Sequence, residues 1–224
     1  MESAFPSRLR LLRRPPDWIE AQGPLSHQLD GLAPCVAIVG TRQPPLAAVE
    51  FTHTLAASLA GQGVVVVSGG AAGIDAAAHA GALSAGGATV VVLPGAIDAW
   101  YPAENAPIFR QTLRAGALVS IRRPGERPNF FQRNAVVAAL ADHVVMVAAP
   151  LKSGARNTVA AARVLGRPLW VVPGAPWDAQ MSGCALELLA GATPLLRADE
   201  LLAALGRPIL SRRRKPVSST FPAA

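Results

Sequence analysis

Glycine-rich and basic segments follow three apolar runs of the sequence. The first run leads into Arg42, the second into Ser68-Gly69-Gly70, and the third into Lys152-Ser153-Gly154. Glycine lets the backbone approach a ligand closely, and free N–H groups at a helix start bind anions. These segments are therefore candidate phosphate-binding turns. The segment at Ser68 is equally consistent with a tight strand-to-helix connection that binds nothing.

Arginine and aromatic side chains lie close to two of the predicted helix starts. Arg42 and Arg133 each sit beside such a start, where a guanidinium and backbone N–H groups can share one anion. Phe130 offers a face on which an unpaired base can stack. Phe131 and Trp100 offer the same chemistry, but core packing is the favoured interpretation for both.

Residues for catalysis or cofactor binding are few. Asp75 and His79 are four residues apart on one predicted helix face, but a structural role is favoured because Asp suits a first turn and His79 can bond to it. The chain lacks the lysine of a Walker loop and the spacing of a dinucleotide fingerprint, so neither ATP nor NAD is indicated. No Cys/His cluster has metal-ligand spacing. We therefore predict no catalytic residue, no metal and no cofactor.

Six apolar runs define the elements that position these residues. They begin near residues 36, 64, 89, 117, 143 and 169, about one strand plus one helix apart, and they do not alternate with polar residues. Such runs are typical of parallel strands buried on both faces. Alanine-rich stretches between them predict helices over 46–61, 74–85, 105–115, 134–141 and 158–165, with two more over 184–190 and 198–205. The expected fold is α/β, a single doubly wound and mainly parallel sheet.

Composition and charge indicate the localisation of the protein and the limits of its globular domain. Of 224 residues, 51% are hydrophobic, and no apolar run approaches the ~20 residues of a membrane span. We expect a cytoplasmic protein with an N-terminal extension (1–33), one globular domain (34–205) and a basic, disordered tail (206–224). Five of the net +7 charges come from residues 201–224. Between residues 34 and 200, seven of the twelve basic residues fall after strands or in first helical turns.

Several motifs together resemble the bacterial DNA-processing protein A family, also called DprA or Smf. They are Gly40-Thr41-Arg42, the stretch from Ser68 to Asp75 with His79, Asp98 with Tyr101-Pro102 and Asn105, Phe130 with Arg133-Asn134, Ser153-Gly154, Val172-Pro173-Gly174 and Ser182-Gly183-Cys184. These motifs occur in family order over residues 34–195. The match therefore covers nearly the whole globular part.

The resemblance implies a function and a site. It implies an extended Rossmann-like fold, a protein without catalytic activity that binds and protects single-stranded DNA in natural transformation, and loading of the RecA recombinase by a homodimer. The implied DNA-binding residues are Arg42, Ser68, Gly69, Gly70, Phe130, Arg133, Asn134, Lys152, Ser153, Gly154 and Thr158.

Some positions depart from the family pattern and keep alternatives open. Ile121, Ala135 and Ala185 stand where the family usually has Glu, Arg and Asn. One alternative is a small-nucleotide sensor or a phosphoribohydrolase-like enzyme on the same fold. The chain lacks the Pro-Gly-Gly and Glu of such enzymes between residues 151 and 158, which weakens that alternative. A diverged paralogue that does not bind DNA is the other.

Overall fold

A computed structural model describes residues 5–32 and 34–207 of the chain. Eight strands in this part form one sheet, ordered β1-β5-β4-β3-β2-β6-β7-β8. The strands are β1 (Glu20–Gln22), β2 (Cys35–Val39), β3 (Val65–Ser68), β4 (Thr89–Leu93), β5 (Ala117–Ser120), β6 (His143–Met146), β7 (Leu169–Val171) and β8 (Thr193–Pro194). All neighbours are parallel except β1 and β5. The predicted doubly wound, mainly parallel sheet is confirmed.

Seven helices of the described chain cover the two faces of this sheet. They are α1 (Leu46–Ala60), α2 (Ile74–Ser84), α3 (Ala106–Ala115), α4 (Phe130–Leu140), α5 (Ala155–Val164), α6 (Ser182–Leu189) and α7 (Ala198–Ala204). The first three follow β2, β3 and β4 and pack side by side, whereas α4 packs against α5. Because crossovers between parallel strands are right-handed, the reversal of strand order places α4 and α5 on the other face.

The winding reverses between β2 and β6. The chain builds outward from β2 through β3 and β4 to β5, and α4 then returns it to β6 on the other side of β2. Adjacent strands whose connections leave in opposite directions open a crevice at their carboxyl ends, and this crevice is where open α/β sheets bind ligands. The segments that follow β2 and β6 therefore meet at this point.

Two helices begin three or four residues earlier than the sequence predicts, and a third, α6, begins two residues earlier. The helix expected from residue 134 begins at Phe130, and the one expected from residue 158 begins at Ala155. Asn129 explains the first difference, because its side-chain oxygen accepts a hydrogen bond from the Gln132 backbone N–H at 2.9 Å and so caps the helix. Phe130, Arg133 and the residue after it consequently lie on the first turns of a helix.

The N-terminal extension is built into the domain. Its strand β1 adds an antiparallel edge to β5, and the buried side chains of Leu9 and Leu29 belong to the main core. The Arg8 guanidinium donates to the Leu140 carbonyl at 2.7 Å and pairs with Asp142 at 3.0 Å. The sequence missed β1 because its three residues have no apolar pattern.

The main core packs strand Val residues against helix Ala and Leu residues. Alternate positions of β4 separate two clusters: Val90 and Val92 join the main core, while Val91 and Leu93 pack against Phe109 of α3. Within the described residues, no helix combines the length and apolarity that crossing a bilayer requires. The tail that the sequence predicts to be disordered lies, from residue 208 onward, outside the described residues.

Candidate nucleic-acid interface

A cavity of about 390 Å³ opens at the carboxyl ends of β2, β3 and β6, where the winding of the sheet reverses. We call it the rim cavity. Nine of the eleven DNA-binding residues that the sequence predicts line it: Arg42, Gly69, Phe130, Arg133, Asn134, Lys152, Ser153, Gly154 and Thr158. The structure therefore brings together side chains that are more than 110 residues apart in the sequence.

The other two predicted residues, Ser68 and Gly70, do not line the rim cavity. The Ser68 hydroxyl is fully buried and donates to the Ile38 carbonyl at 2.6 Å. Gly70 has a φ of +69°, and its carbonyl accepts a hydrogen bond from the Asn105 amide at 2.9 Å. Both residues shape the turn after β3, and this turn presents Gly69 to the cavity.

Gly69 is required by a close approach of a buried guanidinium. A Cβ at this position would overlap the Arg133 guanidinium and would also lie 2.9 Å from a carboxylate oxygen of Asp75. Only a residue without a side chain leaves Arg133 in this place. The glycine therefore has a role in positioning a cation.

Arg133 and Asp75 form a buried pair at the floor of the rim cavity. Arg133 is only 5% exposed, and its Nη1 lies 3.5 Å from Asp75 Oδ2. Burial raises the pKa of Asp75, which the Arg133 charge opposes, and burial lowers the pKa of Arg133, whose guanidinium stays protonated in proteins. Buried Arg133 Nε has no hydrogen-bond partner among the described residues. One carboxylate at this distance leaves donor capacity for an anionic ligand.

His79 is not the partner of Asp75. Its Nδ1 lies 2.7 Å from the hydroxyl of Thr89, which itself donates to the Val66 carbonyl, so Nδ1 carries the proton. The expectation that His79 bonds to Asp75 is therefore wrong, because helix α2 turns the imidazole toward β4. Burial lowers the pKa of His79 to about 3, with a smaller contribution from the Arg133 charge. The imidazole is neutral at physiological pH.

Phe130 lies beside two cations at the cavity wall. The guanidinium carbons of Arg42 and Arg133 are 5.4 and 5.9 Å from its ring centroid, within the range of cation–π contact. Tyr101 packs edge-on against the same ring at 5.9 Å, a contact that the sequence did not predict. Phe130 keeps 36% of its surface exposed. The ring and its two cations form a platform suited to a base and its phosphate.

The other rim arginines have different roles. Arg156 does not line the cavity, because it turns to Glu187 at 3.1 Å and to the Leu151 carbonyl at 3.1 Å. Arg122 bonds the Gln132 side chain at 2.8 Å. The net positive charge of the cavity therefore comes from Arg42, Arg133 and Lys152.

Two aromatic predictions have opposite outcomes. Trp100 packs edge-on against Phe109 at 5.8 Å, as expected for a residue at the edge of the core. Phe131 is 71% exposed, so the expectation of core packing is wrong. The early start of α4 is the reason, since it places Phe131 on the outer side of the first turn.

Three of the departures from the family pattern, Ile121, Ala135 and Ala185, lie outside the rim cavity. Ile121 is buried in the main core, Ala185 is exposed on α6, and Ala135 faces the outer side of α4. The cavity also contains polar residues that were not among the predicted binding residues, namely Thr41, Asp75 and Asn157. The sequence signals that could have identified them are their positions: the first lies beside Arg42, the second follows Gly73 at a helix start, and the third lies beside Thr158.

The doubly wound sheet defines a Rossmann-like domain, and the cation-lined cavity lies at its ligand crevice. The sequence profile of the family described as DNA recombination-mediator protein A matches residues 1–206. The putative DNA processing protein DprA of Mycobacterium tuberculosis is 43% identical over 183 residues, which are 80% of this chain and 47% of that protein. The chain belongs to the DNA recombination-mediator protein A (DprA/Smf) family. It spans about half the length of the first curated relatives.

Solved structures agree with this assignment. The DNA processing protein A of Streptococcus pneumoniae has a TM-score of 0.81 at 30% identity, covering 89% of this chain and 70% of that one. The Helicobacter pylori protein, which has a single-stranded DNA binding mode, has a TM-score of 0.80 at 30% identity and covers 90% of this chain and 92% of that one. The fold and the family are therefore the same.

Proposed function

We propose that this protein binds single-stranded DNA through the rim cavity. The observation that carries the proposal is the buried guanidinium of Arg133. Its pairing with one carboxylate, at 3.5 Å, leaves some of its N–H donors unused. A phosphate there gains charge-assisted hydrogen bonds, and Arg42 and Lys152 add positive charge at the same cavity. The ring of Phe130 beside the cations suits an unstacked base, which a duplex does not offer.

We further propose that the bound strand is protected and handed to RecA during natural transformation, in the cytoplasm. Membership of a recombination-mediator family supports this role. A homodimer is part of the proposal. On α6, Leu186 and Leu189 are exposed and lie three residues apart on one helix face, an apolar surface suited to a second copy of the chain.

The proposed activity is binding without turnover. Asp75, the titratable acid of the rim cavity, is tied to Arg133, and His79 is buried against Thr89. General acid–base catalysis needs a titratable group that can reach the reacting atom. Incubation with nucleoside mono-, di- and triphosphates, with and without Mg²⁺, is expected to give no product above the blank. A rate that Asp75→Asn abolishes would establish the alternative of an enzyme acting on small nucleotides.

Equilibrium binding tests the function itself. Fluorescence anisotropy should compare a labelled oligothymidylate, the matching duplex and a mononucleotide competitor on the full chain. We expect the single strand to bind more tightly than the duplex, and the mononucleotide to compete poorly. A mononucleotide that displaces the strand at low concentration would favour a nucleotide sensor, and equal affinity for strand and duplex would overturn the proposal.

A further inference from the structure

A second groove, of about 660 Å³, runs along the outer side of α4. The segment from Leu12 to Asp17 forms one wall, and the outward faces of α4 and α5 form the rest. We call it the outer groove. It is separate from the rim cavity and contains none of the eleven DNA-binding residues predicted from the sequence.

The first turn of α4 lies between the two sites and contributes side chains to both. Successive residues of a helix point about 100° apart, so Phe130 faces the rim cavity and Phe131 faces the outer groove. Asn157 at the start of α5 lines both sites. A chain-like ligand that leaves the rim cavity beside Asn157 therefore enters the outer groove directly.

The outer groove carries more positive than negative charge. Arg13, Arg14 and Arg122 line it together with one acid, Asp17. Arg13 and Arg14 are exposed and form no ion pair within the described parts of the chain. Arg122 pairs weakly with Glu126 at 3.7 Å. This excess of positive charge favours a polyanion over an uncharged apolar peptide as the ligand.

The remaining lining suits a nucleobase. Phe131 presents 71% of its surface, and small alanines such as Ala161 line the same groove. The amide side chains of Asn129 and Gln132 lie in the same groove, and among the described residues their nitrogens donate to no protein acceptor. An aromatic face, side-chain amides and nearby arginines are what single-strand sites use to stack and contact bases.

We propose that the outer groove binds the continuation of the single strand held in the rim cavity, with one base stacked on Phe131 and the adjoining phosphates beside Arg13 and Arg14. This inference rests on the proposed function of the rim cavity. It makes α4 a ridge over which the strand passes, with one phenylalanine on each side.

Strand length separates the two sites experimentally. The full chain is titrated with oligothymidylates of about 6 and about 20 nucleotides. The short strand is near the lower end, and the long strand above the upper end, of the roughly 4–16 nucleotides that single-strand-binding OB-fold domains cover. Phe131→Ala is compared with Trp177→Ala, a matched control because Trp177 is an exposed aromatic that lines neither site. Thermal unfolding of each variant confirms that the fold is retained, as expected for exposed side chains.

We expect Phe131→Ala to weaken binding of the long strand at least about fivefold and to leave the short strand unchanged, whereas Trp177→Ala changes neither. Arg13→Ala with Arg14→Ala should flatten the salt dependence for the long strand only. Equal effects on both lengths, or no effect on either, would overturn the inference. Failure of the wild type to bind either strand would overturn the proposed function as well.

Discussion

Replacing Arg133 with alanine leaves a buried carboxylate without its cation. Asp75 is buried, and Arg133 is the positive side chain that pairs with it, at 3.5 Å. In the variant the folded protein must either keep an unpaired buried charge or protonate Asp75. Protonation is the cheaper response, because an isolated buried carboxylate shifts its pKa rather than staying ionised. The stability of the Arg133→Ala variant should therefore depend on pH.

The magnitude follows from the cost of that proton. An unfolded Asp has a pKa of about 3.9, so keeping Asp75 neutral at pH 7 costs about three pKa units, or ~4 kcal/mol. At pH 5 the same proton costs only ~1.5 kcal/mol. The ~4 kcal/mol agrees with the ~3–5 kcal/mol typical for removing one partner of a buried pair. The Arg133 charge also helps to lower the pKa of His79. Without that charge, the variant loses less stability than the wild type as the pH falls, which adds to the smaller destabilisation at pH 5.

Urea unfolding followed by tryptophan fluorescence measures this effect at pH 7 and pH 5. Arg133→Ala should be destabilised relative to wild type at both values, and by ~2–3 kcal/mol less at pH 5. Arg110→Ala, on the exposed side of α3, is the control and should be neutral. The double variant Asp75→Asn/Arg133→Ala should be more stable at pH 7 than Arg133→Ala alone. Equal destabilisation at both pH values, or no rescue by Asp75→Asn, would refute the reasoning.

Three other predictions concern single residues. The pKa of His79, lowered to about 3, means that its stabilising effect is complete above pH 6.5 and is lost as the pH falls. The free energy of unfolding should therefore drop by ~2 kcal/mol from this group between pH 7 and pH 5, and less in His79→Gln. Gly69→Ala should displace Arg133 and weaken single-strand binding about tenfold in anisotropy measurements; wild-type affinity would contradict this. Leu189, which is 85% exposed, should hold the dimer, so Leu189→Arg should halve the mass found by light scattering; a monomeric wild type would contradict it.

The sequence predicted the sheet well because its strands are buried on both faces. All six apolar runs became parallel strands, and the β2–β6 crevice follows from the rule for doubly wound sheets. The short edge strands β1 and β8 were missed, since strands of three and two residues carry no period. The starts of α4, α5 and α6 were placed late. At α4 the reason is capping by Asn129, which extends the helix into a segment rich in polar residues.

The site was predicted in composition more than in geometry. Motifs placed Arg42, Phe130 and Arg133 at one rim, and the structure brings them together. Spacing along one helix suggested that His79 bonds to Asp75, but spacing does not show which neighbouring element a side chain reaches. Likewise, a count of basic residues could not reveal that Arg156 is held by Glu187.

The dependence of binding on salt tests the central claim most directly. Each phosphate that a cation neutralises adds about −0.7 to the slope of log K against log salt for a single strand. Arg42 lines the rim cavity and is exposed, so Arg42→Ala should keep the fold and flatten the slope by about 0.7, whereas Arg110→Ala should leave it unchanged. An Arg42→Ala variant with the wild-type slope, or equal flattening by both variants, would contradict the assignment of the rim cavity as the DNA-binding site.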